Sequence, residues 1–239
     1  MSYQSETIPA SCTATPSRYT HIFKCDQSLY SYSMEVGFTD IAQFFLYPGC
    51  KFDKFAAKFG GDAELTAQVD VVAATESLSV TTMDASPISL GFQRYSNFQA
   101  AIKEAGATIA IVKELQVETN NNLDSTGYCI GGGGVLGSLP EGLANVAGSI
   151  NAIFQDAALY NKAQLGTESS LEVICTHSNG VWSFDMLLEE LNYQLASPGV
   201  PTPMGVWVNL PFMCYYDNNT DSNILKATLV NDVPTYVWT

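Results

Sequence analysis

The residue pair best suited to chemistry in this 239-residue chain is Cys175 with His177. The two stand two positions apart on a predicted strand, so their side chains share one face. A nucleophilic pair needs thiolate and imidazole within reach of one substrate atom, and an acid that orients the imidazole. We favour two neighbouring side chains of a hairpin, with a nucleophilic site as the alternative. His21, the other histidine, has no second ligand or acid near it in sequence and is predicted to be structural.

Three further motifs invite a chemical interpretation and fall short of it. Gly131–Gly134 lacks the lysine that a phosphate-binding loop needs, so a flexible loop is predicted. The glycosylation sequon at 218–220 has no use in a protein of the cytoplasm. Asp185, Glu189 and Glu190 have the type of paired catalytic carboxylates, but a solvated acidic edge is the simpler interpretation.

The sequence therefore predicts no catalytic, cofactor-binding or metal site, and no enzyme. A metal site needs three or four convergent ligands, and no set with ligand spacing is present. The cysteines lack C-x-x-C spacing and are typical of buried thiols in a reducing compartment. They are Cys12, Cys25, Cys50, Cys129, Cys175 and Cys214.

Charge is scarce and unevenly placed. Charged residues make up 14% of the chain, against about 25% in typical domains, which suits a surface consumed by contacts between copies. The net charge is −14, and between Glu114 and Leu225 there are twelve acids and a single base, Lys162. Gripping duplex DNA needs lysine and arginine to neutralise phosphates. The balance suits a surface past which DNA slides, with plain acidic solubility as the alternative.

Neither a secretory signal nor a membrane span is expected. Residues 1–12 lack a basic region followed by an apolar one. No apolar stretch approaches the roughly 18 residues of a membrane-spanning helix. We expect a protein made in the cytoplasm.

Alternating apolar and polar residues predict strands along most of the chain. The clearest is 65–71, after a turn at Gly60-Gly61, and Asn179-Gly180 is the clearest hairpin turn. Further strands are predicted over 19–24, 29–36, 52–59, 100–103, 108–119, 146–154, 171–175, 182–187, 206–216 and 223–230. The strand around 108–112 carries neither charge nor proline, the usual blocks on a free edge, so we expect it to pair with another copy.

Two short helices are also predicted. Thr39-Asp40 caps the first, over 41–46, which Pro48-Gly49 ends. Asp156 caps the second, over 157–165, and Gly166 closes it.

The chain is predicted to divide near residue 84. Residues 1–18 form an extended N-terminal arm, 19–84 a first β-half, and 85–239 a second β-half that contains helix 157–165 and a long loop at 123–145. A weak echo relates 51–78 to 112–122 followed by 143–159. One continuous domain and two tandem copies both remain open.

Two stretches together resemble the siphophage tail tube (major tail protein) family. The first, over 19–73, begins YTHIFK, continues through SYSMEV and a Tyr-x-Gly-Cys segment into a long strand, and ends after a Gly-Gly turn at VDVV. The second, over 98–162, runs from FQAAIKEAGATIAIVKELQVETNNNL to GSINAIFQDAALYNK. The order and spacing of these segments carry the resemblance, across about half of the chain.

The resemblance implies an all-β protein, a β-sandwich or partial barrel of tail-tube type with one or two short helices. Copies would form six-fold rings, or three-fold rings if each chain carries two tube domains. The rings would stack into a tube in the virion tail, assembled in the cytoplasm of the host bacterium. Residues 1–18 and 123–145 would contact the next ring, and acids would partly line the channel.

The family also implies partners and leaves alternatives. Tape measure, terminator and distal tail proteins would bind the tube, and genomic DNA would pass its lumen without specific binding and without a membrane. The alternatives are another virion β-protein (tail terminator, distal tail or decoration protein) and a non-catalytic carbohydrate- or surface-binding β module. Single rings would indicate the former, and binding of soluble glycan the latter.

Overall fold

The structure, a computed structural model, describes residues 2–7, 18–25, 28–61, 65–87, 94–109, 111–198, 206–216 and 223–234. Over these ranges the regular structure is mostly β, with fourteen strands and one α-helix, which confirms the all-β prediction. No helix within them is long and apolar enough to cross a membrane. The strands of the first half are β1 (Ser2–Thr7), β2 (Tyr19–Lys24), β3 (Tyr32–Phe38), β4 (Gln43–Gly60), β5 (Thr66–Val72), β6 (Ser77–Ser79), β7 (Ala100–Glu104) and β8 (Ala107–Ile109). Those of the second half are β9 (Val112–Asn120), β10 (Asn145–Ile153), β11 (Ser169–Thr176), β12 (Ser183–Tyr193), β13 (Trp207–Cys214) and β14 (Lys226–Asn231), with helix α1 (Ala158–Leu165) after β10.

All fourteen strands belong to one antiparallel network. Its main path runs β1-β2-β14-β12-β13-β10-β9-β4-β3. A branch leaves β12 through β11 to β7 and β8, while β5 and β6 join β4. Consecutive strands pair at β1-β2, β3-β4, β9-β10 and β12-β13, whereas β2-β14, β12-β14, β10-β13 and β4-β9 join strands that are not consecutive, so both local and long-range pairing determine the fold.

The network encloses one apolar core. Phe23 of β2, Met186 of β12 and Leu225, just before β14, line an apolar cavity together with Phe55 of β4 and Val146 of β10. The largest fully buried side chains are Leu115, Ile150, Leu171, Met186, Leu188, Leu191, Leu210, Phe212 and Leu225. Alternation of buried and less buried residues over 115–119 of β9 and along β13 places one face of each strand in this core.

Strand β4 spans two sheets, and this overturns one prediction. Its first part, Gln43 to Cys50, pairs with β3 and β6, and its second part pairs with β5 and β9. The predicted helix over 41–46 is therefore wrong. A turn through Ala42, whose φ is +47°, brings Gln43 opposite Phe38, and cross-strand pairing outweighs the local helix signal. We call β3, the first part of β4, and β6 the projecting hairpin.

A second prediction, one long strand over 108–119, is also wrong. This segment forms β8, which pairs with β7, and β9, which pairs with β4 and β10. The two strands belong to different branches of the network, so the chain must change direction between them. Helix 157–165 is found as α1, and the Asn179-Gly180 turn joins β11 to β12.

The expected N-terminal arm falls partly outside the described residues. Ser2–Thr7 form β1, which pairs with β2 at the end of the main path. Residues 8–17 are not described.

Candidate assembly surfaces

The two histidines are both held in structural settings. His21 is fully buried, and its Nε2 lies 3.1 Å from Asn231 Oδ1 and 2.9 Å from the carbonyl oxygen of Val233. His177 lies in the turn after β11, with its ring centroid 5.8 Å from that of Tyr95 and 5.2 Å from that of Trp182. His21 thus links β2 to the end of β14.

Cys175 and His177 lie in different surroundings, the first in β11 and the second in the turn that follows it. Its side chain is fully buried in the core. Burial, and secondarily the negative charge of Asp185, raises the pKa of the Cys175 thiol to about 11. The thiol is therefore protonated at neutral pH, whereas a nucleophile has to be a thiolate.

Asp185, one of the three carboxylates weighed in the sequence, has a carboxylate neighbour on another strand. Asp185 pairs with Glu172 of the neighbouring strand β11 rather than with Glu189 or Glu190. Burial, followed by the charge of Glu172, raises the pKa of Asp185 to about 6. Over the described parts of the chain no group of three or more His, Cys, Asp or Glu residues is placed to hold a metal. The sequon at 218–220 lies outside the described residues.

The glycine-rich loop between β9 and β10 is tied to β4. Lys51 Nζ lies 2.6 Å from Glu141 Oε1 and 3.1 Å from the carbonyl oxygen of Leu139. Leu136 and Leu139 are buried, and the Leu136 amide donates to the carbonyl of Ala74 at 3.1 Å. These contacts hold the chain that follows the tetraglycine segment against β4 and the segment between β5 and β6.

Surfaces, rather than pockets with reactive groups, are therefore the candidates for function, and the first is a polar sheet face. Directly opposed residues of an antiparallel sheet lie on the same face. The registers of β5, β4, β9, β10 and β13 place one set of side chains on the sheet face that points away from the core. We call this set the polar face: Thr66, Gln68, Asp70, Lys54, Ala56, Lys58, Glu114, Gln116, Glu118, Asn120, Asn145, Ala147, Ser149, Asn151, Asn209, Pro211 and Met213.

Small and amide side chains dominate the polar face. Its centre is a broad groove lined by Ala56, Ala147 and Ser149, with Gln68 and Gln116 beside them. Three acids, Asp70, Glu114 and Glu118, stand against two bases, Lys54 and Lys58, so the net charge of the face is −1. Lys58 Nζ lies 3.0 Å from Glu114 Oε2, which neutralises one pair and lowers the pKa of Glu114.

The acidic half of the sequence does not gather on this face. Only Glu114 and Glu118 of its twelve acids lie there. Glu141 and Glu172 form ion pairs with Lys51 and Lys103 at 2.6 Å and 2.8 Å. Asp124 and Asp156 accept hydrogen bonds from neighbouring backbone amides, and Asp217 and Asp221 lie outside the described residues.

Open strand edges form the second candidate surface. Among the described residues β5 pairs only with β4 and β8 only with β7. Trp207 to Leu210 of β13 pair with β10 on one side, whereas β12 reaches only residues 212 to 214. Six of the seven residues of β5 are exposed, Val69 and Val71 included. An apolar edge of this kind suits pairing with another chain.

The third candidate surface is the projecting hairpin with the cavity at its base. The cavity has a volume of about 300 Å³ and is lined mainly by apolar side chains, among them Tyr32, Phe52 and Val69. Val36, Phe38 and Leu78 of the hairpin, and Val80 directly after it, are about half exposed or more. The sequence predicted a strand over 29–36, but it did not show that one side of that strand would lack a covering layer.

Comparison with known proteins gives one family. The family model described as phage tail tube protein matches residues 6–214. No curated protein matches the chain.

Proposed function

The chain belongs to the phage tail tube protein family, and we propose that it forms rings that stack into the hollow tube through which phage DNA passes. As a member of this family it is a structural protein of the phage tail. We further propose which surface of the protein lines the channel, which strand edges join neighbouring copies, and how many copies form a ring.

The polar face is the observation that carries the proposal. A wall past which DNA slides must offer the phosphates no cluster of cations, because each lysine or arginine that contacts a phosphate adds affinity. The polar face has two lysines, one of them neutralised by Glu114, among amide, hydroxyl and methyl groups. A cation-poor wall of small side chains binds the phosphate backbone weakly and leaves the duplex free to move.

The open edges on the two sides of this sheet are where copies join. Strand β5 of one copy pairs with the open part of β13 in the next, so that the five-stranded sheets form one closed barrel. Closure removes the free edges and covers Val69 and Val71. The β8 edge lies on the other branch of the network and is free for contacts outside the barrel.

Six copies fit a DNA channel better than three. Each chain supplies one sheet of five strands, since both segments of the internal echo, β4–β5 and β9–β10, lie in it. With strands about 4.8 Å apart and tilted by about 40°, thirty strands close at a backbone diameter of about 60 Å. Fifteen strands would close at about 30 Å, and side chains about 5 Å deep on each wall would leave no clearance around a duplex.

The partners and the place of assembly follow if the protein is a tube subunit. The ends of the tube bind terminator and distal tail proteins, the tape measure protein occupies the lumen during assembly, and assembly takes place in the host cytoplasm. The protein has no enzymatic activity in this role. A single-ring protein of the same fold, such as a terminator, is the second candidate, because one closed barrel would satisfy the same open edges.

Lumen-specific labelling tests the proposal. In a Cys12→Ser/Cys129→Ser background, Gln116→Cys places a thiol on the polar face, and Glu168→Cys places one in an exposed loop off that face. In assembled tubes a small maleimide should reach both thiols, whereas a maleimide on a large polymer should reach only Glu168→Cys. Equal labelling of both by the large reagent would show that the polar face is not the lumen wall.

A further inference from the structure

The apolar cavity of about 300 Å³ has a buried wall and an open mouth. Val146, Met186 and Leu225 line its deep end, and each of them is only 1% exposed. Tyr30 and Val69 also line it but are 61% and 47% exposed, so they mark the mouth. A small molecule can therefore enter from solvent and be surrounded by apolar side chains.

Aromatic rings form much of the remaining wall. Phe23, Phe55 and Phe184 contribute to it from β2, β4 and β12. The rings of Tyr32 and Phe52 meet at 55°, with their centroids 5.5 Å apart. Aromatic rings pack favourably on one another edge to face or with offset faces. This wall therefore favours a flat aromatic molecule.

The cavity offers no counter-charge to an ionised ligand. Among the described residues that line it, Lys54 is the only charged one. An irregular register in β4 places Phe52 opposite Val71 and Lys54 opposite Asp70. The Lys54 side chain therefore belongs to the polar face, whereas Phe52 lies on the side of the cavity. Because burying an unpaired charge is strongly unfavourable, the ligand must be uncharged.

One buried hydroxyl gives the cavity a polar contact. Thr119 lines it and is 8% exposed, on the core-facing side of β9. Its hydroxyl donates to the carbonyl of Phe55 at 3.5 Å, which is long for a hydrogen bond between oxygens. Buried hydroxyls normally have close partners, and a hydroxyl can both donate and accept. Thr119 can therefore bind a hydroxyl group of a ligand.

We propose that this cavity is a binding site for an uncharged aromatic molecule of one or two rings that carries a hydroxyl group, a phenol or a naphthol. Apolar cavities bind aromatic molecules as small as benzene, and a volume of about 300 Å³ lies at the lower end of the range for ligand pockets. The Thr119 hydroxyl pairs with the ligand hydroxyl while the aromatic wall holds the rings. The site lies within one copy, so this inference goes beyond the proposed tube function and does not depend on it.

The test titrates free subunits of the full chain with three probes that share one ring system. The probes are 2-naphthol, naphthalene and the anion 2-naphthoate, and calorimetry measures their affinities. We expect one molecule of 2-naphthol per subunit, binding about fivefold more tightly than naphthalene because of one added hydrogen bond. In Thr119→Val this preference should disappear. No saturable binding of 2-naphthol, or equal binding of 2-naphthoate, would overturn the inference.

A pair of alanine variants locates the bound molecule. Ala227 lines the cavity and is 7% exposed, whereas Ala163 of α1 is 8% exposed and lies elsewhere in the core. Ala227→Leu should weaken binding of 2-naphthol at least about tenfold, since the added methyl groups occupy the cavity. Ala163→Leu should leave the affinity unchanged. Undiminished binding to folded Ala227→Leu would place the ligand elsewhere and overturn the inference.

Cys25 gives a second measurement that needs no change in the cavity wall. It lines the cavity and is partly buried. In a Cys12→Ser/Cys129→Ser/Glu168→Cys background, saturating 2-naphthol should slow alkylation of Cys25 by a small uncharged reagent several-fold. Alkylation of the exposed thiol at position 168 should not change. An unchanged rate at Cys25 would overturn the inference, whether or not the leucine variants fold.

Discussion

Lys162 Nζ lies 2.5 Å from Glu104 Oε1, and this ion pair ties α1 to β7. The Ser169 hydroxyl donates to the same carboxylate. Glu104 is only 8% exposed, so these two partners, rather than water, stabilise its buried carboxylate. The one base in the acidic stretch from Glu114 to Leu225 thus serves the interior of the fold.

Replacing Lys162 by methionine should destabilise the protein by about 3 kcal/mol, because it leaves the Glu104 carboxylate buried without its counter-charge. Urea unfolding measures this as a lower midpoint at unchanged slope. Adding Glu104→Gln to the variant removes the unpaired charge and should recover most of the loss.

Lys58→Met supplies the matched control. Lys58 pairs with Glu114 at 3.0 Å, but their side chains are 51% and 30% exposed. Exposed pairs contribute less than about 1 kcal/mol. An equal loss of stability in the two lysine variants would contradict a special role for the buried pair.

Asp185 should make stability fall as pH rises from about 4 to about 6. Burial, and the charge of Glu172, raise its pKa in the folded protein from 3.8 to about 6, while Lys103 and Lys226 oppose the shift. The folded state therefore holds a proton that the unfolded state releases within this window, and stability is lost as pH rises through it. Asp185→Asn should stabilise the protein by about 1 kcal/mol at pH 8 and have little effect at pH 4. Thermal unfolding at the two pH values measures this, and a variant that is less stable at pH 8 would refute it.

Gly148→Ala should destabilise the sheet between β9 and β10. A Cβ atom there would collide with the Gln116 carbonyl and the Phe212 ring, both held in the sheet and core. We expect a loss of about 2 kcal/mol. Gly127→Ala is the control, since its nearest neighbour would be 3.2 Å away, at the Ser138 carbonyl. Similar unfolding midpoints for both variants would show that β9 and β10 can move apart without a loss of stability.

Thiol titration should find one fast cysteine in a Cys12→Ser variant. Cys129 is exposed, whereas Cys50, Cys175 and Cys214 are buried and Cys25 is partly buried. Burial raises the pKa of Cys175 to about 11 and that of Cys214 to about 12, so little thiolate is present at neutral pH. Two or more fast thiols without denaturant would contradict this arrangement of the core.

Elements encoded by neighbouring residues were predictable from the sequence. Helix α1 follows from the Asp156 carboxylate, which accepts the Ala158 amide at 2.8 Å, and from Gly166 at φ +62°. The part of β4 before residue 52 was not predictable, because the strand passes through Pro48 and Gly49 and its partners β3, β6, β5 and β9 come from separate segments. At φ +71° Gly49 accommodates the irregular register there, a role that local sequence does not distinguish from a chain break.

The assembly surfaces were only partly predictable. Alternation along β9 indicated that Gln116 and Glu118 would point away from the core. It did not show that β4, β5, β10 and β13 would extend the same face, because register depends on distant pairing. For Val36 and Phe38, alternation predicts a buried side but not which chain buries it.

The most direct test of the account is electron microscopy of the purified full-length protein, with averaging of end-on views. We expect the images to show stacked rings of six subunits around an open channel. Solid filaments, rings without a channel, or a protein that stays monomeric even when supplied with preformed tail tips would contradict it.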